Sequence, residues 1–144
     1  MNRMGEQTER TTGQTRNTGF QIGVRRTLPI HHEEAWDLIT SKKGARIWLG
    51  GASGINFEQG AKYRLKDGTS GEVRVFNQNS HLRLTWHLNG WKRPSTIQVR
   101  VIPKGERTVI AFHQEHLPGA KEREMRRAHY ISALDELQQI IGSK

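Results

Sequence analysis

The chain of 144 residues contains no cysteine. That excludes a disulfide framework, a thiol nucleophile and a zinc–thiolate site. No apolar run approaches the roughly eighteen residues that a membrane-spanning helix needs. The N-terminal MNRMGEQTERTTGQTRNTG has no apolar segment of the secretory kind, so the cytoplasm is the expected compartment. Catalytic signatures are missing as well. No HExxH pattern offers metal ligands at helical spacing. Ser53, within Gly51-Ala52-Ser53-Gly54, lacks the GxSxG elbow, and no GK[ST] follows those glycines to cradle a phosphate. They read as turn residues. Seven histidines give no ligand set: His31 and His32 diverge as neighbours, and His113 and His116, three apart near a strand end, fall on opposite faces. Neither a metal nor a cofactor nor an enzymatic activity is expected.

Acidic residues are the next shortage. Lys and Arg number 23 against 14 Asp and Glu, a formal charge of +9. Residues 1–26 carry five Arg against two Glu, and residues 81–107 carry six Lys or Arg against Glu106 alone. Basicity spread in this way is a solvated surface. Nothing matches a recognition helix or an RNA-binding aromatic motif, so nucleic acid is not an expected partner.

The strongest positive signal is the last stretch, Lys121 to Gly142. Tyr130, Leu134, Leu137 and Ile141 recur at spacings of four, three and four, one face of an α-helix. Met125 and Ile131 are expected to widen that face, with Glu124, Arg126, Arg127, Asp135, Glu136 and Gln138 on the other side. Such a helix, roughly 30 Å long, cannot bury its stripe alone and needs a surface from the chain upstream.

That upstream chain supplies strands. Residues 1–18 have no periodic apolar positions and cannot offset the entropy of ordering, so a disordered tail is expected there, with one folded domain over 19–144. Phe20, Ile22 and Val24 alternate with polar residues in a first strand that Pro29 ends. HHEEAWDLIT places Glu33 and Glu34 in the first turn of a helix that turns Ala35, Trp36 and Ile39 inward. Ser41 caps a second short helix that ends at Leu49-Gly50-Gly51. Alternation then predicts strands at Ile55–Phe57, Tyr63–Leu65, Val73–Val75, residues 81–88, Ile97–Val101 and Thr108–Glu115. Turns fall at Asp67-Gly68, Asn89-Gly90 and Pro103–Glu106. The order implies an α+β architecture: an antiparallel sheet with helices on one face.

Three segments carry a family likeness. RTLPIHHEEAWDLITSKKGARIWLGG, with Pro29, Trp36 and Trp48, resembles the opening of the family related to the activator of heat shock protein 90 ATPase. SGEVRVFNQNSHLRLTWH resembles its paired strands ending in an apolar-Thr-Trp sequence, here Leu84-Thr85-Trp86. HQEHLPGAKEREMRRAHYISALDEL resembles its last strand, loop and helix, with Tyr130 where the family usually has Trp. The likeness spans about residues 20–142. It implies the helix-grip fold of the SRPBCC (START-like) superfamily, which includes the birch pollen allergen. In that fold a curved antiparallel β-sheet wraps around a long C-terminal α-helix, with two short helices after the first strand.

Superfamily relatives hold lipids, sterols, polyketides or plant phenolics in a cavity between sheet and helix, whereas the eukaryotic co-activators bind a chaperone ATPase. The expected function is therefore non-catalytic binding of a small hydrophobic or amphipathic ligand. Trp48, Tyr63, Trp86, His113, Tyr130 and Leu134 are the expected ligand-binding residues, with His113 as an inward polar group. The ring residues have a second reading as plain core filling. Trp91, beside Lys92 and Arg93, could contact a partner or an anionic headgroup. The alternative function is a protein-interaction module that meets an acidic partner through Arg83, Lys92, Arg93, Arg100 and Arg107. A third is a cyclase or aromatase, for which His113 is the one nameable group.

Overall fold

In a computed structural model, the described residues are 14–15, 19–50 and 55–142. Strands β1 (Gln14–Thr15) and β2 (Gly19–Leu28) are followed by helices α1 (His32–Thr40) and α2 (Lys42–Trp48). Then come β3 (Lys62–Arg64), β4 (Ser70–Asn77), β5 (His81–Trp86), β6 (Ser95–Lys104) and β7 (Arg107–Leu117), and finally α3 (Ala120–Gly142). All pairs are antiparallel, in the order β1-β2-β7-β6-β5-β4-β3. The curved sheet and the long helix over it form the helix-grip fold. Among the described residues no helix is long and apolar enough to cross a membrane.

One face of the sheet is apolar because alternation keeps it so. Leu82, Leu84 and Trp86 on β5, Ile97, Val99 and Val101 on β6, and Ile110 and Phe112 on β7 are all buried. Tyr130, Ala133, Leu134, Leu137 and Ile141 of α3 join them in a single cluster. The opposite face carries Arg25, Lys62, Arg64, Arg74, Arg83 and Arg100, all exposed or half-buried.

The helix pair is fixed by caps. The His31 ring accepts from the Glu33 N–H, and Ser41 Oγ accepts from the Gly44 N–H at 3.0 Å. Gly44 is required at this junction: a β-carbon there would overlap the Leu38 carbonyl. Trp48 Nε1 donates to the Ile39 carbonyl at 2.9 Å, and His129 Nε2 donates to the Trp48 carbonyl at 2.6 Å, so α1, α2 and α3 are tied in series.

Several expectations are corrected. Met125 is 57% exposed and Ile131 40%, whereas Arg126, assigned to the polar side, is only 9% exposed and lies on the buried face. The reason is period: Arg126 stands four residues before Tyr130, in line with the stripe. Ile55 and Phe57 form no strand; they pack against the core from an irregular segment. β5 stops at Trp86, leaving Leu88 in the following loop, and β6 runs through Pro103 to Lys104. By then β6 has lost its β5 neighbour, so a residue without an N–H is tolerated. Val75 turns outward beside Arg83 because a bulge between Val73 and Val75 shifts the alternation. Of the expected tail, Gln14–Thr15 pair with β2. Its other residues, and the turn at Gly51–Gly54, lie outside the described residues.

Candidate functional site

The buried face of α3 changes character along its length. Ala133, Leu134, Leu137 and Ile141 are apolar, but Arg126 and Tyr130 bring a guanidinium and a phenol under the sheet. The strands answer with polar side chains at matching positions. Gln114 is in phase with Phe112 on β7, Ser95 with Ile97 on β6, and both are fully buried. Tyr63 on β3 stands opposite Gly71 on β4, in the inward row that leads to Trp86. A β-carbon on Gly71 would overlap the Thr85 carbonyl and the Tyr63 hydroxyl, so glycine here lets the phenol cross β4 and donate to that carbonyl.

Arg126, Tyr130, Gln114 and Ser95 form one hydrogen-bonded chain, with Tyr63 bonded separately to the Thr85 carbonyl. Arg126 Nε donates to Gln114 Oε1 at 2.8 Å, and Tyr130 Oη donates to the same oxygen at 2.7 Å. Arg126 Nη2 donates to Tyr130 Oη at 3.2 Å. Gln114 Nε2 donates to Ser95 Oγ at 2.8 Å, which donates to the Trp86 carbonyl at 2.7 Å. The guanidinium lies over the Trp86 ring, its carbon 4.1 Å from the centroid, and 5.0 Å from that of Tyr130. Such contacts favour a cation that has left water. Phe112 stacks on Tyr130 at 5.0 Å.

Electrostatics keep both phenols neutral. Burial, then the neighbouring Tyr130 hydroxyl, raises the Tyr63 pKa far above its ordinary value, with Arg126 pulling the other way. Burial likewise raises that of Tyr130 against the pull of Arg126. Burial, followed by the Arg126 charge, lowers that of His129.

The cluster does not end in solid core. Trp86 packs edge-on against Trp91 at 5.4 Å, and Trp91 lines a pocket of about 480 Å³. Lys92, Arg93, His116, Leu117 and Glu122 complete most of its wall, where the β5–β6 loop meets the start of α3. His116 holds a left-handed backbone (φ 65°) at the β7 bulge on that rim. A second depression, about 560 Å³, crosses the basic face of the sheet between Lys62, Arg64, Arg74 and His87.

Of the six expected site residues, Tyr63, Trp86 and Tyr130 meet in the polar cluster. Trp48 and Leu134 are fully buried among apolar neighbours, and the Trp48 ring lies against Phe57 and Phe112. His113 is a correction. The phase set by Phe112 puts it on the outer face, where its Nε2 meets Gln21 Oε1 at 2.9 Å, and the inward polar residue is its neighbour Gln114. Arg126, Gln114 and Ser95 were not anticipated, although the spacing that placed Tyr130, Phe112 and Ile97 inward also places them. Among the described residues no three His, Asp or Glu side chains converge to hold a metal ion.

The family model described as activator of Hsp90 ATPase homolog 1-like protein matches residues 29–142. The chain belongs to this family. Several solved structures share the fold. CalU16 from Micromonospora echinospora superposes with a TM-score of 0.72 at 20% identity, over 84% of this chain and 75% of its own. MLL2253 from Mesorhizobium loti gives 0.74 at 17% identity, over 86% and 98%. PFC0360w from Plasmodium falciparum, an HSP90 activator, gives 0.69 at 18% identity, over 85% and 96%. No curated protein matches. At these identities the superpositions establish the fold of this Hsp90-activator-like domain and nothing finer.

Proposed function

We propose that this domain binds a small amphipathic molecule, without catalysis, at the open end of the space between sheet and α3. The supporting observation is the pocket of about 480 Å³ whose wall residue Trp91 packs directly on Trp86, the indole beneath the buried polar cluster. Its size falls within the range of small-molecule sites, and aromatic walls with a few convergent polar groups are their usual lining. In this proposal Trp91 is the aromatic wall of the pocket, Trp86, Tyr63 and Tyr130 stand behind it, and Trp48 and Leu134 support them from the core. A role without catalysis fits the chemistry present: two phenols held neutral, an amide and a guanidinium include no base poised to take a proton. A cyclase role loses its candidate, since His113 faces away.

The test is a two-dimensional NMR titration with fatty acids, sterols and flavonoids. Shifts centred on Trp86, Trp91 and Tyr130 are expected, and a Trp91→Ala variant should bind at least tenfold more weakly. Titration of the full panel with no shift at those residues would overturn the proposal.

A second reading has its own observation. Lys62, Arg64, Arg74, Arg83 and Arg100 share the outer face of the sheet, and Glu115 answers only Arg83 among them, at 3.2 Å. An acidic protein surface docking there would account for the charge, and capture would weaken steeply with salt. Salt-insensitive capture of a chaperone ATPase would argue against that face as the contact.

A further inference from the structure

The outer face of the sheet is hollowed where β3, β4 and β5 meet, and the strand register accounts for the hollow. Arg64 stands opposite Ser70, which bridges to His87, and Lys62 stands opposite Glu72, whose N–H donates to Thr85 Oγ1 at 2.9 Å. The depression of about 560 Å³ is therefore lined by small residues, Ser70, Gly71 and Thr85, beside the long side chains of Lys62, Arg64 and Arg74. All three cations are exposed, and none enters an ion pair among the described residues. Glu72 is the one acid on the wall. Thr85 uses its oxygen to accept from Glu72, which leaves its own O–H to donate. A smaller hollow, about 370 Å³, continues from Arg64, Ser70 and His87 to Asn89 and Trp91. His87 fixes that end, its Nε2 donating to the Trp91 carbonyl at 2.6 Å.

We infer that this groove is an anion site for a polyphosphate chain. Three cations against one acid around a single hollow repel one another and draw in a ligand of opposite sign. A lone carboxylate would meet one cation and leave two. A phosphate group carries more charge and three acceptor oxygens. Two or three in a row reach Lys62, Arg64 and Arg74 within a volume ordinary for a small-molecule site. The forked guanidinium groups of Arg64 and Arg74 suit phosphate oxygens, and Lys62 adds a point charge. The charge is gathered in a hollow, which a slender chain enters and a broad acidic protein surface does not. None of the residues lining this depression belongs to the pocket beside α3, so the site stands independently of the amphipathic ligand.

Sodium tripolyphosphate and ATP, each without divalent metal, are titrated into the full chain beside citrate and decaglutamate, at about 0.15 M ionic strength. Binding is read by calorimetry and by amide cross-peaks. Tripolyphosphate is expected to bind at least tenfold more tightly than citrate or decaglutamate, with shifts at Lys62–Arg64 and Ser70–Arg74. The double variant Arg64→Gln/Arg74→Gln changes exposed side chains only and should bind it at least tenfold more weakly. Arg25→Gln, an exposed charge on the same face outside the groove, should leave the affinity unchanged. A loss in Arg25→Gln as large as in the double variant would show attraction to net charge alone and overturn the site. Decaglutamate binding as tightly as tripolyphosphate would assign the face to an acidic protein and overturn it too, as would a failure of tripolyphosphate to bind. The two supporting outcomes separate the source. Tighter binding of ATP, with the Trp91 indole peak moving, points to a nucleotide, and equal affinities point to a free polyphosphate chain.

Discussion

The two halves of α3 bury opposite kinds of surface. Ala133, Leu134, Leu137 and Ile141 share an apolar cluster with Leu28, Ile30, Trp36 and Ile39. One to two turns earlier, Arg126 and Tyr130 occupy the same helical face and end in a hydrogen-bonded chain through Gln114 and Ser95. Burial of apolar surface is non-directional, so the first half needs only volume and shape. The second half needs each donor aimed at an acceptor, and where acceptors run out the fold gains nothing from the group. The C-terminal half is therefore the one expected to stabilise the fold.

That contrast can be broken most sharply in the apolar half. Trp36→Ala removes a fully packed indole that also meets Phe76 edge-on at 5.5 Å. A loss of about 3–5 kcal/mol is expected in urea unfolding, and a loss under 1 kcal/mol would show that this half is not the stabilising one. In the polar half Gln114→Leu strips the shared acceptor from Arg126 Nε and Tyr130 Oη. It should cost about 1–3 kcal/mol, mostly through donors left unmet. Arg126→Met removes the charge instead and should be nearly neutral, or stabilising by about 1–4 kcal/mol. If it destabilised more than Gln114→Leu, Arg126 would be a structural residue first.

The smallest effect belongs to His129, within the N-terminal half beside Tyr130. Its folded-state pKa is depressed by burial and then by the Arg126 charge, so folding favours the neutral ring. Its contribution to stability is complete above the ordinary imidazole pKa of about 6.5 and is lost as pH falls through the lower folded-state value. Melting temperature should drop between pH 7.5 and pH 5, and less steeply in His129→Gln; parallel slopes would remove His129 from the acid response.

The sequence determined the elements and their order. Period-2 runs on β5, β6 and β7 and the four-three-four spacing of Tyr130, Leu134, Leu137 and Ile141 are local properties, as is the Ser41 cap, and all can be read without a fold. Two outcomes show where this stops. Ile55 and Phe57 alternate like a strand yet pair with no strand among the described residues, and Val75 keeps its place in the pattern while a bulge turns it outward. Polar residues were harder still. Arg126 and Gln114 lie in phase with buried neighbours, but a polar side chain goes inward only if partners wait there, and those partners sit on β5, β6, β7 and α3. Pairing between distant segments is what only the tertiary structure decided: it set Tyr63 across Gly71, left the Trp86 indole N–H without an acceptor among the described residues, and brought a positive charge under the sheet.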